Sequence, residues 1–247
     1  STNRLLELVD VLNFLTSNNY YAEAISGALA IGDNGNFLGV GSVAMVFEDT
    51  NTYVEIGNEN TIKSTKSDIS LKAKADTTAR TIAGAVAAGK SATAAGAGIS
   101  VVSTDNVVRV NLGTKDNIES AAAYTQSAES IDDSLVITAE AAVNAKDSGR
   151  SYGASVSIVL NGNLVESNVG AQSKITAAKD INVSTKADHD LCNIAVGVQG
   201  GKGAALGGTI LFQKTTGQTY TYVGDQAVLT STSGNINLTA DTVEKMV

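Results

Sequence analysis

Apolar and polar residues alternate in short runs along most of the chain. The clearest runs are Ile69-Ser70-Leu71, Ile181-Asn182-Val183 and Ile236-Asn237-Leu238. Alternation with a period of two residues places the apolar side chains on one face of a β-strand. The runs are rich in Val, Ile, Thr and Ser, and Gly, Asn and Asp separate them. The pattern from residue 20 onward therefore predicts many half-buried strands.

The start of the chain has a different pattern. Within residues 3–17, polar side chains recur at every third position, at Glu7, Asp10 and Asn13, and the leucines between them share one helical face. Asn18-Asn19 end this periodicity. We predict an N-terminal helix within residues 1–19 that acts as a cap or a linker.

The strand-rich region repeats with a period of about 56 residues, which is a signature of repeat architectures. An apolar residue followed by glycine recurs four times at nearly equal spacing, at Ile56-Gly57, Leu112-Gly113, Val169-Gly170 and Val223-Gly224. An alternating strand begins at nearly the same distance after the first, third and fourth glycine. In the second repeat the corresponding run is Ser134-Leu135-Val136-Ile137, which indicates an insertion at about Ala121–Asp132. The repeats predict four modules, approximately 20–76, 77–142, 143–189 and 190–247.

Repeats of this kind predict an all-β fold, a parallel β-helix or β-solenoid. Each coil stacks on the next at about 4.8 Å and buries a continuous core. We expect each module to contain three turns of about 19 residues, with the helix covering an open end of the core. The chain has no Trp and no Pro in 247 residues, although average usage would give about 12 Pro. A narrow core and continuous backbone ladders account for both absences.

The repeated element resembles that of a known group of proteins. It runs from Gly41-Ser42-Val43 through Ile56-Gly57 to the strand at 68–73, and again from Gly208-Thr209 through Val223-Gly224 to the strand at 235–240. It is similar to filamentous-haemagglutinin-like adhesins, and closest in texture to leukotoxin-like adhesins. The resemblance covers about residues 20–247. It implies a right-handed β-helix in a stalk that bacteria secrete or carry on the cell surface.

Composition removes several classes of function. The formal net charge is −8 and the pI is near 4.6, which argues against a nucleic-acid binder. One Cys and one His exclude a disulfide framework and sites built from several Cys or His ligands. The apolar runs are shorter than the roughly 20 residues of a membrane-spanning helix, so we expect no membrane insertion. The chain begins with Ser1, which favours a piece of a longer protein.

One motif suggests a nucleotide site. Residues 84–91 match the pattern G-x-x-x-x-G-K-[ST], which binds phosphate only between a buried strand and a helix. The residues that follow contain Gly96 and Gly98 and make a poor helix. Gly89, Gly200 and Gly32 also precede their repeat glycines by nearly the same distance. We therefore predict a structural turn and no cofactor.

The acidic pair Asp132-Asp133 could act as general acid and base, or join Glu129 in a weak cation site. Adjacent residues on a strand point to opposite faces, so we expect a solvated loop and neither catalysis nor metal binding. We predict that His189 is exposed and that Cys192 is a buried small hydrophobe, with the two side chains pointing apart. Four tyrosines could form stacked ladders on a flank of the solenoid: Tyr20, Tyr21, Tyr220 and Tyr222.

The expected function is structural and not enzymatic: a rigid, elongated stalk of an extracellular or surface adhesin. Acidic and Ser/Thr/Asn-rich faces should keep it soluble and discourage sideways association. Two alternatives remain, a filament subunit that assembles through its solenoid ends and a β-helix enzyme acting on polysaccharides. The partner would be a molecule of a host or neighbouring cell, or another copy. The expected partner-binding loop contains Tyr124, Gln126, Glu129, Asp132 and Asp133, because departures from a repeat often form binding loops.

Overall fold

The computed structural model describes residues 5–7, 12–33 and 35–247, and this part of the chain forms β-strands and turns without a helix. The strands are β1 Leu5–Glu7, β2 Leu12–Asp33, β3 Leu38–Ile56, β4 Thr61–Ser64, β5 Ile69–Lys90, β6 Thr93–Leu112, β7 Asn117–Ser120, β8 Tyr124–Asn144, β9 Arg150–Val169, β10 Lys174–Ala177, β11 Ile181–Gly201, β12 Ala205–Val223, β13 Val228–Ser231 and β14 Ile236–Met246. The prediction of an all-β fold is confirmed.

The strands form three parallel sheets. Sheet A has the order β1-β4-β7-β10-β13, sheet B the order β14-β11-β8-β5-β2, and sheet C the order β12-β9-β6-β3. Every third strand along the chain is therefore a neighbour in a sheet, which is the topology of a stacked solenoid. The four Ile/Leu/Val-Gly pairs align, since Ile56 pairs with Leu112, Leu112 with Val169 and Val169 with Val223.

The expected three turns per module are wrong, because one whole module is a single coil. A complete coil has one short strand and two long strands, for example β4 with 4 residues, β5 with 22 and β6 with 20. At about 3.3 Å per residue the long strands span roughly 70 Å, while five stacked strands rise only about 19 Å. Several glycine and polar residues between the apolar runs, such as Gly96, Gly98 and Asn161-Gly162, lie within the long strands, where stacked neighbours complete their backbone hydrogen bonds.

The predicted N-terminal helix is also wrong for the described residues. Leu5–Glu7 pairs with Thr61, Ile62 and Lys63 in sheet A, and Leu12–Asp33 pairs with β5 in sheet B. Residues 1–4 and 8–11 of that prediction lie outside the described residues. Leu12 and Phe14 hold the register positions of Ile69 and Leu71, so the leucine pattern belongs to a further coil. Stacking on an existing ladder overrides local helical periodicity here.

The turn from sheet C to sheet A is the same in every coil. It begins at the repeat glycine, and two residues later the chain has a positive φ of about 60°, at Glu59, Lys115, Gln172 and Gln226. A Cβ on Gly113 would lie 2.5 Å from the carbonyl oxygen of Gly57 in the coil before it. Glycine is required at that position because the turns stack backbone on backbone.

The second module contains no insertion. Tyr124 pairs with Ile69 and with Ile181, so Tyr124-Thr125-Gln126 occupies the place of Ile69-Ser70-Leu71 in the neighbouring coil. The polar Gln126 breaks the apolar alternation there, and it is the residue that disguised the strand. The run at Ser134 identified from the sequence lies farther along the same strand, β8.

The interior changes character along the long strands. Near sheet A it holds a core of large side chains that includes Ile69, Leu71, Ile118 and Tyr124. A second apolar cluster around Val102, Val136 and Leu191 lies farther along sheets B and C. Buried Thr, Asn, Asp and His side chains separate the two clusters.

Sheets B and C meet at the tip, which we define as the reversals at residues 35–37, 91–92, 145–149 and 202–204. Toward the tip the interior positions are mostly Ala, Gly, Ser and Thr. Hydroxyl groups of sheet C donate directly to backbone carbonyl oxygens of sheet B, from Ser100 to Ile137 at 2.9 Å and from Ser155 to Val196 at 3.0 Å. The two sheets are therefore close together in this half, and large side chains cannot lie between them.

The outer surface does not have the uniformly polar character expected from the sequence. Toward the tip, Ile25, Leu29 and Ile31 on sheet B are more than 60% exposed, and Val43 and Met45 on sheet C are nearly half exposed. The large apolar residues of this half point outward because its interior is too thin for them. Charged residues of sheet B are concentrated in the half next to sheet A.

Candidate functional site

The predicted partner-binding segment is part of strand β8 and not a loop. The side chains of Tyr124, Gln126 and Asp132 are buried, whereas Glu129 and Asp133 lie on the outer face. Only the last two are available to a partner on the outer surface of sheet B. Whether they bind one stays a prediction.

Tyr124 and Gln126 form a buried hydrogen-bonded pair. The Tyr124 hydroxyl donates to Oε1 of Gln126 at 2.7 Å. Nε2 of Gln126 donates to the carbonyl oxygens of Val110, at 3.1 Å, and Asn168, at 2.9 Å. Burial raises the pKa of the Tyr124 hydroxyl, so the proton of this hydrogen bond stays on the tyrosine. The pair ties sheet B to two successive strands of sheet C.

Asp132 lies in the polar layer between the two apolar clusters. Its carboxylate lies 2.9 Å from Nδ1 of His189, which occupies the same position in the next coil. Asn163 Nδ2 donates to the Asp132 carboxylate at 3.3 Å, and Asn106 Nδ2 also donates to it. The predicted exposed position of His189 is wrong, because only 2% of this residue is exposed.

The polar layer fixes side chains in position but gives bulk solvent no path to them. Its members lie between two continuous sheets, and Asp132 and His189 are each at most 2% exposed. Burial, together with repulsion from Asp132, raises the pKa of Glu48 at the edge of this layer. The arrangement can order the two sheets, but a polymer substrate has no contact with it.

Asp132 and Asp133 face opposite sides of β8, as expected for adjacent strand residues. Glu129, Asp132 and Asp133 therefore do not converge on one point. Within the described ranges no group of three or more His, Cys, Asp or Glu side chains is placed to hold a metal ion.

The outer acids of β8 pair with cations of the adjacent coils. Glu129 lies 3.9 Å from Nζ of Lys186, and Asp133 lies 4.0 Å from the Arg80 guanidinium. Such exposed ion pairs contribute at most about 1 kcal/mol each. Opposite charges therefore alternate along the stacking direction, from Lys74 through Glu129 to Lys186.

The P-loop-like residues lie in a strand–turn–strand unit. Gly84 to Lys90 belong to β5, Ser91 and Ala92 form the reversal, and β6 begins at Thr93. The three glycines that lie at similar distances before the repeat glycines do not all stack on one another. Gly32 pairs with Gly89, whereas Gly89 pairs with Asn144 and Gly200 pairs with Val143. The helix N-terminus that would cradle phosphate does not follow this motif.

The remaining sequence candidates lie on different faces. Cys192 is partly exposed on the outer face of sheet B, so the prediction that it is buried is wrong, whereas His189 points inward. The two side chains point apart, as expected. Tyr21 and Tyr222 are 61% and 52% exposed. The Tyr220 hydroxyl donates to Glu166, which also lies 2.9 Å from Nε of Arg109.

Sequence reasoning missed a buried carboxylate near the tip. Glu140 is 3% exposed, and Nε2 of Gln199 donates to its Oε1. Burial raises the pKa of Glu140, and the hydrogen bond from Gln199 opposes this shift. Gly153 and Gly197 leave the space that this carboxylate fills. These glycines, which lie on strands of the two facing sheets, were the signal in the sequence that could have indicated a buried side chain here.

It also missed an open depression on the outer face of sheet C. The depression has a volume of about 380 Å³ and is lined by Asp105, Gly162 and Thr216, among others. The Asn161-Gly162 pair resembles a hairpin signal but lies within β9. The glycine there interrupts a column of side chains and so produces the depression.

Comparison of the chain with protein-family models, with curated proteins and with solved structures finds no match. Among the residues that the structure describes, none belongs to a helix long and apolar enough to cross a membrane.

Proposed function

We propose that the chain is a structural segment of a filamentous adhesin that bacteria secrete or display, and that it holds a binding element away from the cell. One observation supports this proposal above the others: three parallel ladders continue in register through every coil, with the same turn at each repeat glycine. A cross-section that repeats in this way transmits load along its axis through backbone hydrogen bonds.

The geometry gives such a stalk little length for each residue that it contains. Each coil uses about 56 residues and adds only about 4.8 Å of length. Four coils make a slab about 70 Å wide and about 19 Å high rather than a thin rod. Length would have to come from many coils, whereas width gives bending stiffness and a large lateral surface.

The proposal assigns no catalytic role to the chain, because the two adjacent acids face opposite sides of β8. An alternative is a filament subunit that assembles through its ends. It is favoured by β12, β13 and β14, which are edge strands of their sheets, and such edges can accept another strand.

Single-molecule pulling on the full chain, held at both termini, tests the mechanical role. Release of one coil of about 56 residues should lengthen the chain by roughly 190 Å. We expect discrete force peaks with this increment. A featureless extension at low force would refute the load-bearing role, and increments of only a third of that length would contradict the coil assignment.

A binding assay separates a spacer from an adhesive segment. Beads coated with the chain are exposed to cultured cells, extracellular-matrix proteins and polysaccharides. A spacer shows no saturable attachment. Saturable attachment that is lost in the Glu129→Gln/Asp133→Asn variant, and kept in a Lys72→Gln control on the same outer face of sheet B, would instead assign adhesion to this surface.

A further inference from the structure

The outer face of sheet B is divided sharply into two halves. Next to sheet A its outward positions include Lys72, Lys74, Glu129 and Lys186. Beyond Arg80 and Asp133 the next four outward columns carry no charged side chain. We call these sixteen positions the isoleucine face: Ile25, Gly27, Leu29 and Ile31 on β2; Ile82, Gly84, Val86 and Ala88 on β5; Ile137, Ala139, Ala141 and Val143 on β8; Ile194, Val196, Val198 and Gly200 on β11.

The isoleucine face exceeds the apolar surface that monomeric proteins normally expose. Eight of its larger side chains are between 40% and 74% exposed. At about 180 Å² for each fully exposed residue, they present roughly 800 Å², against the 300–600 Å² of the largest patch on a typical monomer. One partner contributes about 800 Å² to a standard protein–protein interface. The area is therefore sufficient for one stable partner.

The face has a relief that runs along the stacking axis. An isoleucine ridge is formed by Ile25, Ile82, Ile137 and Ile194, which are stacked in register. The adjacent column begins with Gly27 and Gly84, and a Cβ at either position would meet nothing within 4 Å. The fold itself does not require glycine there, although glycine weakens a strand. Such a glycine often marks the close approach of another backbone or ligand.

The glycine column is complementary to its own reverse. In order it reads Gly27, Gly84, Ala139 and Val196, so a groove at one end is filled at the other. A two-fold axis that lies in the contact plane, parallel to the strands and midway between β5 and β8, would place Val196 of one copy over Gly27 of the other. The same axis places Ile31 of one copy opposite Gly200 of the other and brings the two isoleucine ridges into contact. In the glycine column every larger side chain then faces a glycine of the other copy.

From this relief we propose that two copies of the chain pack through their isoleucine faces with their stacking axes antiparallel. The partner is a second copy because its ridges repeat with the same spacing of about 4.8 Å and its size gradient is the reverse of the groove. The contact lies on the side of the solenoid and is separate from its ends. It goes beyond the proposed stalk function, which does not require it.

A lipid surface fits the face less well. Surfaces that bind membranes combine apolar side chains with basic and aromatic residues. The isoleucine face has neither type, and the chain carries a net charge of −8. Anionic headgroups would therefore repel the protein that presents it.

Sedimentation equilibrium of the full chain over about 1–200 µM, with three variants, tests the proposal. We expect a monomer–dimer equilibrium in the parent chain. Ile82→Lys buries an unpaired charge in the contact and should weaken the dimer by about 100-fold or more. Gly84→Val fills the groove without adding charge and should weaken it by about tenfold. Thr78→Lys is the control, at an outward position four residues before Ile82 on β5, and it should change the dissociation constant less than about threefold.

Thermal unfolding of each variant separates loss of contact from loss of fold, and Gly84→Val should melt no lower than the parent chain. A monomer at every concentration would overturn the proposal, as would tighter association of Gly84→Val. Association that no variant weakens would overturn it too and assign the contact to the solenoid ends. Flotation with phosphatidylcholine vesicles that Ile82→Lys abolishes, in a chain that stays monomeric, would assign the face to lipid instead.

Discussion

The buried pair Tyr124 and Gln126 should be strongly coupled energetically. Tyr124→Phe leaves Oε1 of Gln126 without its donor, and Gln126→Leu leaves the Tyr124 hydroxyl without its acceptor. Both residues are 0% exposed, so each single substitution should cost about 1–3 kcal/mol for an unsatisfied buried group. Gln126→Leu also removes the donor to Val110 and Asn168, which places it at the upper end of that range.

The double variant Tyr124→Phe/Gln126→Leu should recover the part of this loss that comes from the Tyr124–Gln126 hydrogen bond, while the carbonyl oxygens of Val110 and Asn168 still lack the Gln126 donor. Its two side chains are apolar, as Leu71 and Val183 are at the position of Gln126 in the adjacent coils. We therefore expect a coupling energy of about 1–3 kcal/mol, since the double substitution removes both unsatisfied groups together.

Urea unfolding at about 25 °C, followed by circular dichroism, gives the four free energies of unfolding that the cycle needs. Thr125→Val, a substitution between the two residues, is the control and should change stability by less than about 0.5 kcal/mol. If the two single effects add to within about 0.5 kcal/mol of the double effect, the hydrogen-bonded pair does not have the energetic role assigned to it.

Three further outcomes follow from single positions. Glu140→Gln should stabilise the fold at about pH 7 but not near pH 4. Burial raises the pKa of Glu140, so the charged carboxylate opposes folding only at pH values above the pKa of this group in the unfolded chain. An equal effect in urea titrations at both pH values would contradict this. Gly113→Ala should lower the free energy of unfolding by about 2 kcal/mol or more, because its Cβ would lie 2.5 Å from the Gly57 carbonyl oxygen. The control Gly84→Ala should be neutral or stabilising. Similar losses of stability for the two variants in denaturant titrations would refute the stacked turn. Gln172→Gly should stabilise by roughly 0.5–1 kcal/mol, because φ is 59° there, and a lower melting temperature would count against strain at that turn.

The sequence predicted the parts of the fold that depend on repetition. The aligned Ile/Leu/Val-Gly pairs and the alternating runs at Ile69, Ile181 and Ile236 are stacked in register, as expected. Coil length was not predictable from the same pattern. A Gly or Asn within a run reads as a turn when only local propensity is considered, but within a ladder its backbone groups are satisfied by the coils on either side.

The interior polar positions could not be predicted for a related reason. Gln126 is polar where the adjacent coils carry Leu71 and Val183, and Asp132 lies between Thr77 and His189, so the sequence alone indicates an exposed insertion at these residues. In the structure their hydrogen-bond donors and acceptors on sheet C lie between 16 and 42 positions away along the chain. No local pattern contains those partners, and the same limitation hid the buried position of His189.

The thin half near the tip connects the core to the surface. Ser100 and Ser155 can reach backbone carbonyl oxygens of sheet B only because the sheets lie close together. That closeness excludes large side chains from the interior, yet this half of sheet B carries an isoleucine and at least one leucine or valine in every coil. Since successive strand residues point to opposite faces, small residues inside require that the large ones lie outside. The apolar outer face is therefore a consequence of how this half of the coil is closed.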